Sequence, residues 1–175
     1  MKITKKCSFV SSVGLALVGI FLAGQANAAM YVLSGDMDVF QATTNPTNDG
    51  NGTGTISGDY DDVTNSLNYT ITWMDLPSSV TNMHFHNAPV GSAGGVDLSI
   101  PAPWSSPQVD SATLNATQET NLLSGEWYVN VHTVNYGGGE IRGQVIVNPV
   151  PIPAAVWLFG SGLLGLIGIA RRKKT

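Results

Sequence analysis

The sequence predicts an all-β domain, an antiparallel β-sandwich or small Greek-key barrel, set between an N-terminal signal helix and a C-terminal transmembrane helix. Three observations carry this. The central part is rich in Thr, Val, Asn, Ser and Gly and breaks into short runs separated by turn clusters, the pattern of many short strands. Within it Leu67, Tyr69, Ile71 and Trp73 alternate with Asn68, Thr70 and Thr72, the period-two repeat of a strand with one buried face. At each end stands an apolar run whose flanking charges suit export and not a core.

Taken in order, the first element is a signal peptide over residues 1–28. Lys2, Lys5 and Lys6 precede an apolar stretch from Phe9 to Gly24. Ala26-Asn27-Ala28 then offers signal peptidase small side chains at the two positions it reads, Ala26 and Ala28, which predicts cleavage after Ala28. The β domain follows over 29–149. Its predicted strands are Tyr31 to Asp38, Thr53 to Tyr60, Leu67 to Trp73, Val80 to His86, Gly95 to Ile100, Gln108 to Leu114, Glu126 to Val134 and Glu140 to Val147. Asn115 to Leu123 reads as one helical turn before Gly125. Ala42 to Gly54 and the stretch opened by Pro101-Ala102-Pro103 read as loops. Asn135 to Gly139, with three successive glycines, is the turn of a hairpin between the last two strands.

The last element, 150–175, has three parts. Val150-Pro151-Ile152-Pro153 comes first, then an uncharged run, then Arg171-Arg172-Lys173-Lys174. Residues 152–170 make 19 without a charge, enough at about 1.5 Å per residue to cross a hydrocarbon core of about 30 Å. Trp157 sits near the outer end, and the four cations stay cytoplasmic by the positive-inside rule. Gly160-Ser161-Gly162-Leu163-Leu164-Gly165 fits the dinucleotide fingerprint but follows no strand, so its glycines read as a smooth helix face in lipid.

Charge narrows the function classes. Residues 29–149 hold all twelve acids of the chain and one base, Arg142, a net charge of −11. Such a surface repels phosphate backbones, which argues against nucleic-acid partners. The single cysteine, Cys7, lies in the signal peptide, so the domain has no disulfide, cysteine nucleophile or thiolate metal site.

All three histidines fall in two segments, Met83-His84-Phe85-His86-Asn87-Ala88-Pro89 and Tyr128-Val129-Asn130-Val131-His132-Thr133. Side chains two apart share a strand face, so His84 and His86 stand side by side while Met83 and Phe85 face the other way. If the strand of His132 is their neighbour, three imidazoles converge. Two readings stay open: a mononuclear copper or zinc site, for which neutral imidazoles on rigid strands are suitable ligands, or a buried hydrogen-bond network tying the strands together. Arg142 likewise has two readings, an ion pair with Glu126 or Glu140, or support for the histidines. Asp59, Asp61 and Asp62 read as a solvated turn or a weak calcium site. No Gly-x-Ser-x-Gly elbow is present, and no catalytic residue is assigned.

The same two segments, together with His84-Phe85-His86-Asn87-Ala88-Pro89 and its following Gly91, Gly94 and Gly95, and with Leu123 to Thr133 followed by Gly139-Glu140-Ile141-Arg142-Gly143-Gln144, resemble the CHRD domain. Asn87 stands where Gly is more usual. The resemblance spans roughly Tyr31 to Val147 and implies a sandwich of immunoglobulin-like or superoxide-dismutase-like shape without an established catalytic activity. A binuclear superoxide dismutase site needs more histidines than three, so that activity is not expected here. The tail resembles the PEP-CTERM sorting signal, most closely over Trp157 to Leu166, with Val150, Pro151 and Pro153 as its motif and Ile152 in the place of the usual Glu. That resemblance implies an exosortase as processing partner, a stay in the inner membrane, and release to the cell surface or outside. The reading is an exported, non-enzymatic surface or matrix protein, with exopolysaccharide or surface proteins as partners in adhesion or biofilm structure. The alternative is an extracellular copper- or zinc-binding or redox protein using His84, His86 and His132.

Overall fold

The computed structural model describes residues 29–44 and 50–151. The expected signal helix with Ala26 and Ala28, and the expected transmembrane helix 152–170 with Pro153, fall outside the described residues; among those described, no helix is long and apolar enough to cross a membrane.

Among the described residues, nine strands and one helix form in chain order: β1 (Met30–Asp38), β2 (Thr53–Asp61), β3 (Ser66–Met74), β4 (Val80–Asn87), β5 (Gly95–Ser99), β6 (Gln108–Thr113), α1 (Ala116–Leu123), β7 (Trp127–Thr133), β8 (Ile141–Gln144) and β9 (Ile146–Pro149). The fold is all-β and antiparallel. The strands join in one sheet in the order β5-β4-β7-β8-β1-β2-β3-β6, with β9 also on β1. The sheet curls into a half-barrel, and side-chain packing shows why. Four strands separate β3 from β4 in the sheet, yet Tyr69 of β3 meets Phe85 of β4 edge-on with ring centroids 5.1 Å apart. Phe85 in turn packs on Trp127 at 5.0 Å. Burying these rings, together with Leu33, Ile56, Leu67, Ile71 and Val129, draws the sheet around one core, since each removes apolar surface from water.

Two elements differ from expectation. The predicted strand Glu140 to Val147 is two strands: β8 pairs with β7, then the chain steps across and β9 pairs with β1 from Tyr31↔Pro149 to Ser34↔Ile146. The crossing needs close backbone approach, and glycines permit it. A Cβ on Gly143 would meet the Asp36 carbonyl oxygen at 2.4 Å, and one on Gly35 would meet that of Gln144 at 2.5 Å. The predicted single turn at 115–123 is an eight-residue helix. Asn115 caps it: its side chain accepts from the amides of Thr117 and Gln118, while the Gln118 side chain accepts from the Asn115 amide.

Candidate metal centre

The site begins with strand periodicity. Met83 and Phe85 of β4, and Trp127, Val129 and Val131 of β7, are all fully buried in the core. Their alternates, His84 and His86 on β4 and Tyr128, Asn130 and His132 on β7, therefore share the opposite face. β4 and β7 are direct neighbours, in the register Asn82↔His132, His84↔Asn130 and His86↔Tyr128. His132 thus lies diagonally across from His84, within reach of a long side chain.

The three imidazoles converge as the sequence reading requires. One ring nitrogen from each of His84, His86 and His132 lies within 4.8 Å of the others. His84 Nδ1 and His132 Nε2 are 3.3 Å apart. That is about the edge of a tetrahedron around an ion held at 2.0–2.1 Å from each nitrogen.

Backbone carbonyls decide which nitrogen carries the proton. His86 Nδ1 donates to the Gly94 carbonyl at 3.0 Å, and His132 Nδ1 donates to the Gly137 carbonyl at 2.9 Å. A carbonyl can only accept, so both rings hold their proton on Nδ1 and present the Nε2 lone pair. The lone pair of His132 meets His84. That of His86 is buried and has no hydrogen-bond partner among the described residues. Burial lowers the pKa of His84, with further lowering from the His132 and His86 rings beside it. Burial also lowers that of His86, although the Gly94 carbonyl opposes the shift. Both rings are therefore biased toward the neutral, ligating form.

A shell of polar groups holds this arrangement. Tyr128 stacks on His86 at 5.0 Å with the rings 13° from parallel. Its hydroxyl accepts from the Gly94 amide at 3.0 Å. Asn130 donates to the Gly138 carbonyl at 3.1 Å, one residue from the carbonyl that orients His132. Sequence reasoning missed Tyr128, Asn130, Gly94 and Gly137 as supports. The period-two placement of Tyr128 and Asn130 with His132 was the available signal; the glycine carbonyls carried none.

Arg142 corrects the ion-pair expectation. Its partners are Thr43 Oγ1 at 3.1 Å, the carbonyls of Ser92 at 2.7 Å and Pro89 at 3.4 Å, and Gln144 Oε1 at 3.5 Å, with no carboxylate among the described residues. Its guanidinium carbon sits 3.5 Å from the Tyr128 ring centroid. Glu140 stands just before β8 begins, so its side chain departs from the face of Arg142 and accepts from the Thr133 hydroxyl at 2.6 Å in the core. The acids near residue 60 have separate tasks. Asp59 accepts from Asn68 across the β2–β3 ladder, Asp61 from the amides of Val63 and Thr64 in the turn that follows β2, and Asp62 from the amide of Ala29. Val150 continues beside β1, its amide donating to the Met30 carbonyl at 2.7 Å, and Pro151 follows it.

A protein-family model described as the CHRD domain matches residues 31–145, well over half of the chain. No curated protein and no solved structure matches it. The CHRD domain is typical of extracellular and secreted proteins, which supports export in coarse terms. The matched stretch contains both histidine segments and every residue of the supporting shell, and the chain belongs to the CHRD domain family.

Proposed function

We propose that this protein is an exported, non-enzymatic CHRD module that binds one copper or zinc ion through His84, His86 and His132. The observation that carries the reading is the His86 Nε2 lone pair, buried without a partner and facing a cluster in which two rings already have their Nδ1 protons fixed. A buried unpaired acceptor costs about 1–3 kcal/mol, and coordination would remove that cost. Metal-ligating histidines ordinarily donate their other N–H to a carbonyl or carboxylate, the pattern seen at His86 and His132. The net charge of −11 favours cations at the surface.

The sorting part of the proposal has separate support in the order of motif, apolar span and cations at the tail. In it, signal peptidase cuts after Ala28 and an exosortase acts near Val150-Pro151-Ile152-Pro153. The module is then delivered to the cell surface or matrix, among exopolysaccharide and surface proteins.

The metal reading is tested on the purified chain, stripped with a chelator and reloaded with zinc or copper. One ion per chain is expected in the wild type. His86→Ala, His84→Ala and His132→Ala should each lose more affinity than the roughly 10–100-fold that loss of an outer partner brings. Equal metal content in the wild type and His86→Ala ends the reading.

A further inference from the structure

We propose that Arg142, the single base of the β domain, is a positioning residue for this centre: it holds His86 in its ligating tautomer by clamping the 88–94 loop and the Tyr128 ring. The inference rests on the metal reading above.

Two connected routes run from the guanidinium to His86. Along the first, Arg142 Nη1 and Nη2 donate to the Ser92 and Pro89 carbonyls, which pins the loop that follows β4. Two residues beyond Ser92, the Gly94 carbonyl takes the Nδ1 proton of His86. The loop is closely packed at that point. A Cβ on Gly94 would lie 1.9 Å from the Asn87 carbonyl oxygen, so the peptide is seated directly against the end of β4. Along the second route, Arg142 lies over the Tyr128 ring, which stacks on His86 while its hydroxyl receives the Gly94 amide. Both routes end on the same imidazole.

The chemistry calls for arginine. A planar fork can reach two carbonyls and lie on an aromatic face at once, whereas an ammonium is a point charge that cannot do both. Charge-assisted bonds are also roughly twice as strong as neutral ones. Carbonyls, unlike a carboxylate, neutralise the cation in part without setting a competing anionic ligand beside the centre. With the clamp released, the 88–94 loop would lift and the Gly94 carbonyl would withdraw, leaving the His86 ring free to turn and to carry its proton on either nitrogen.

The test uses the full chain as wild type, Arg142→Lys, Arg142→Gln and Tyr128→Phe. Zinc affinity is measured by competition with a chromophoric chelator, and the tautomer of His86 by long-range ¹⁵N correlation of the imidazole nitrogens. The arginine variants should bind zinc about 10–100-fold more weakly, and His86 should pass from the Nδ1–H form to a mixture. Tyr128→Phe, which keeps the ring and loses only the hydroxyl, should move both readouts the same way by a smaller amount. If Arg142→Gln fails to fold, Arg142→Lys and Tyr128→Phe decide. A merely structural role would lower the melting temperature and leave the tautomer and the affinity of the folded fraction at wild-type values, and that result overturns the proposal. If His86→Ala loses zinc while Arg142→Lys and Tyr128→Phe keep affinity and tautomer, this proposal alone fails. If the wild type takes up no zinc, the metal reading fails and this one with it.

Discussion

At the scale of single residues, His86 concentrates the physics of the site. Its ring is buried, its Nδ1 proton is committed to a carbonyl, and its other nitrogen is buried with no hydrogen-bond partner among the described residues. The lowered pKa values of His84 and His86 carry a stability consequence. A histidine that is harder to protonate when folded takes up protons preferentially in the unfolded chain. The contribution is thus fully present above the ordinary imidazole value of 6.5 and is lost as pH falls through it toward the lower folded values. Metal-free protein should therefore be less stable to urea at pH 5.5 than at pH 7.5, and His86→Gln should narrow that difference. An unchanged pH dependence in the variant would show that His86 does not supply it. The raised pKa of Glu140, caused by burial, acts in the opposite direction, so the comparison with the variant isolates the histidine.

At the scale of elements, the step from β8 to β9 decides the geometry around β1. Asp38↔Arg142 is the one residue pair joining β1 to β8, after which β9 takes over the pairing. Gly143 lies at that junction, with the Asp36 carbonyl oxygen and the Met37 side chain where a Cβ would stand. Gly143→Ala should cost at least the 1–3 kcal/mol typical of overpacking, because the nearest clash is with backbone that cannot rotate away. Gly137→Ala, with open space around the added methyl, should cost under about 1 kcal/mol by chemical denaturation. Equal effects at the two glycines would contradict the close crossing. A glycine in a strand was visible in the sequence as a mark of close backbone approach, but the strand it would approach was not.

At the scale of the whole molecule, the two ends of the described domain leave side by side. The Ala29 amide meets Asp62, and the Val150 amide meets the carbonyl of Met30. The histidines belong to the other end of β1, on the row that joins Asp38, Arg142, Asn130 and His84. Seven residues of strand at about 3.3 Å each put roughly 23 Å between that row and Tyr31. Ala29 and Val150, the described residues next to the proposed processing sites, therefore share one pole, away from the candidate centre. In a host with an exosortase, the mature protein should by mass begin at Ala29 and lack the segment beyond about Pro153. An intact C-terminus on the exported protein would count against the sorting proposal.

What depends on local period and composition was legible from the residues alone. Alternation marked the β class and most strand positions, His-x-His fixed two imidazoles on one face opposite Met83 and Phe85, and counting acids and bases established the charge. Which strands are neighbours emerged only from the fold. The pairing of β4 with β7 brings His132 to residues 48 positions earlier in the chain, and nothing in a period of two specifies it. The same holds for the curl that sets Tyr69 against Phe85, and for Arg142, whose partners are carbonyls of a loop 50 residues away and not the nearby carboxylates. The physical reason is common to all three: alternation sets which way a side chain faces, while packing of the shared core sets what it finds there.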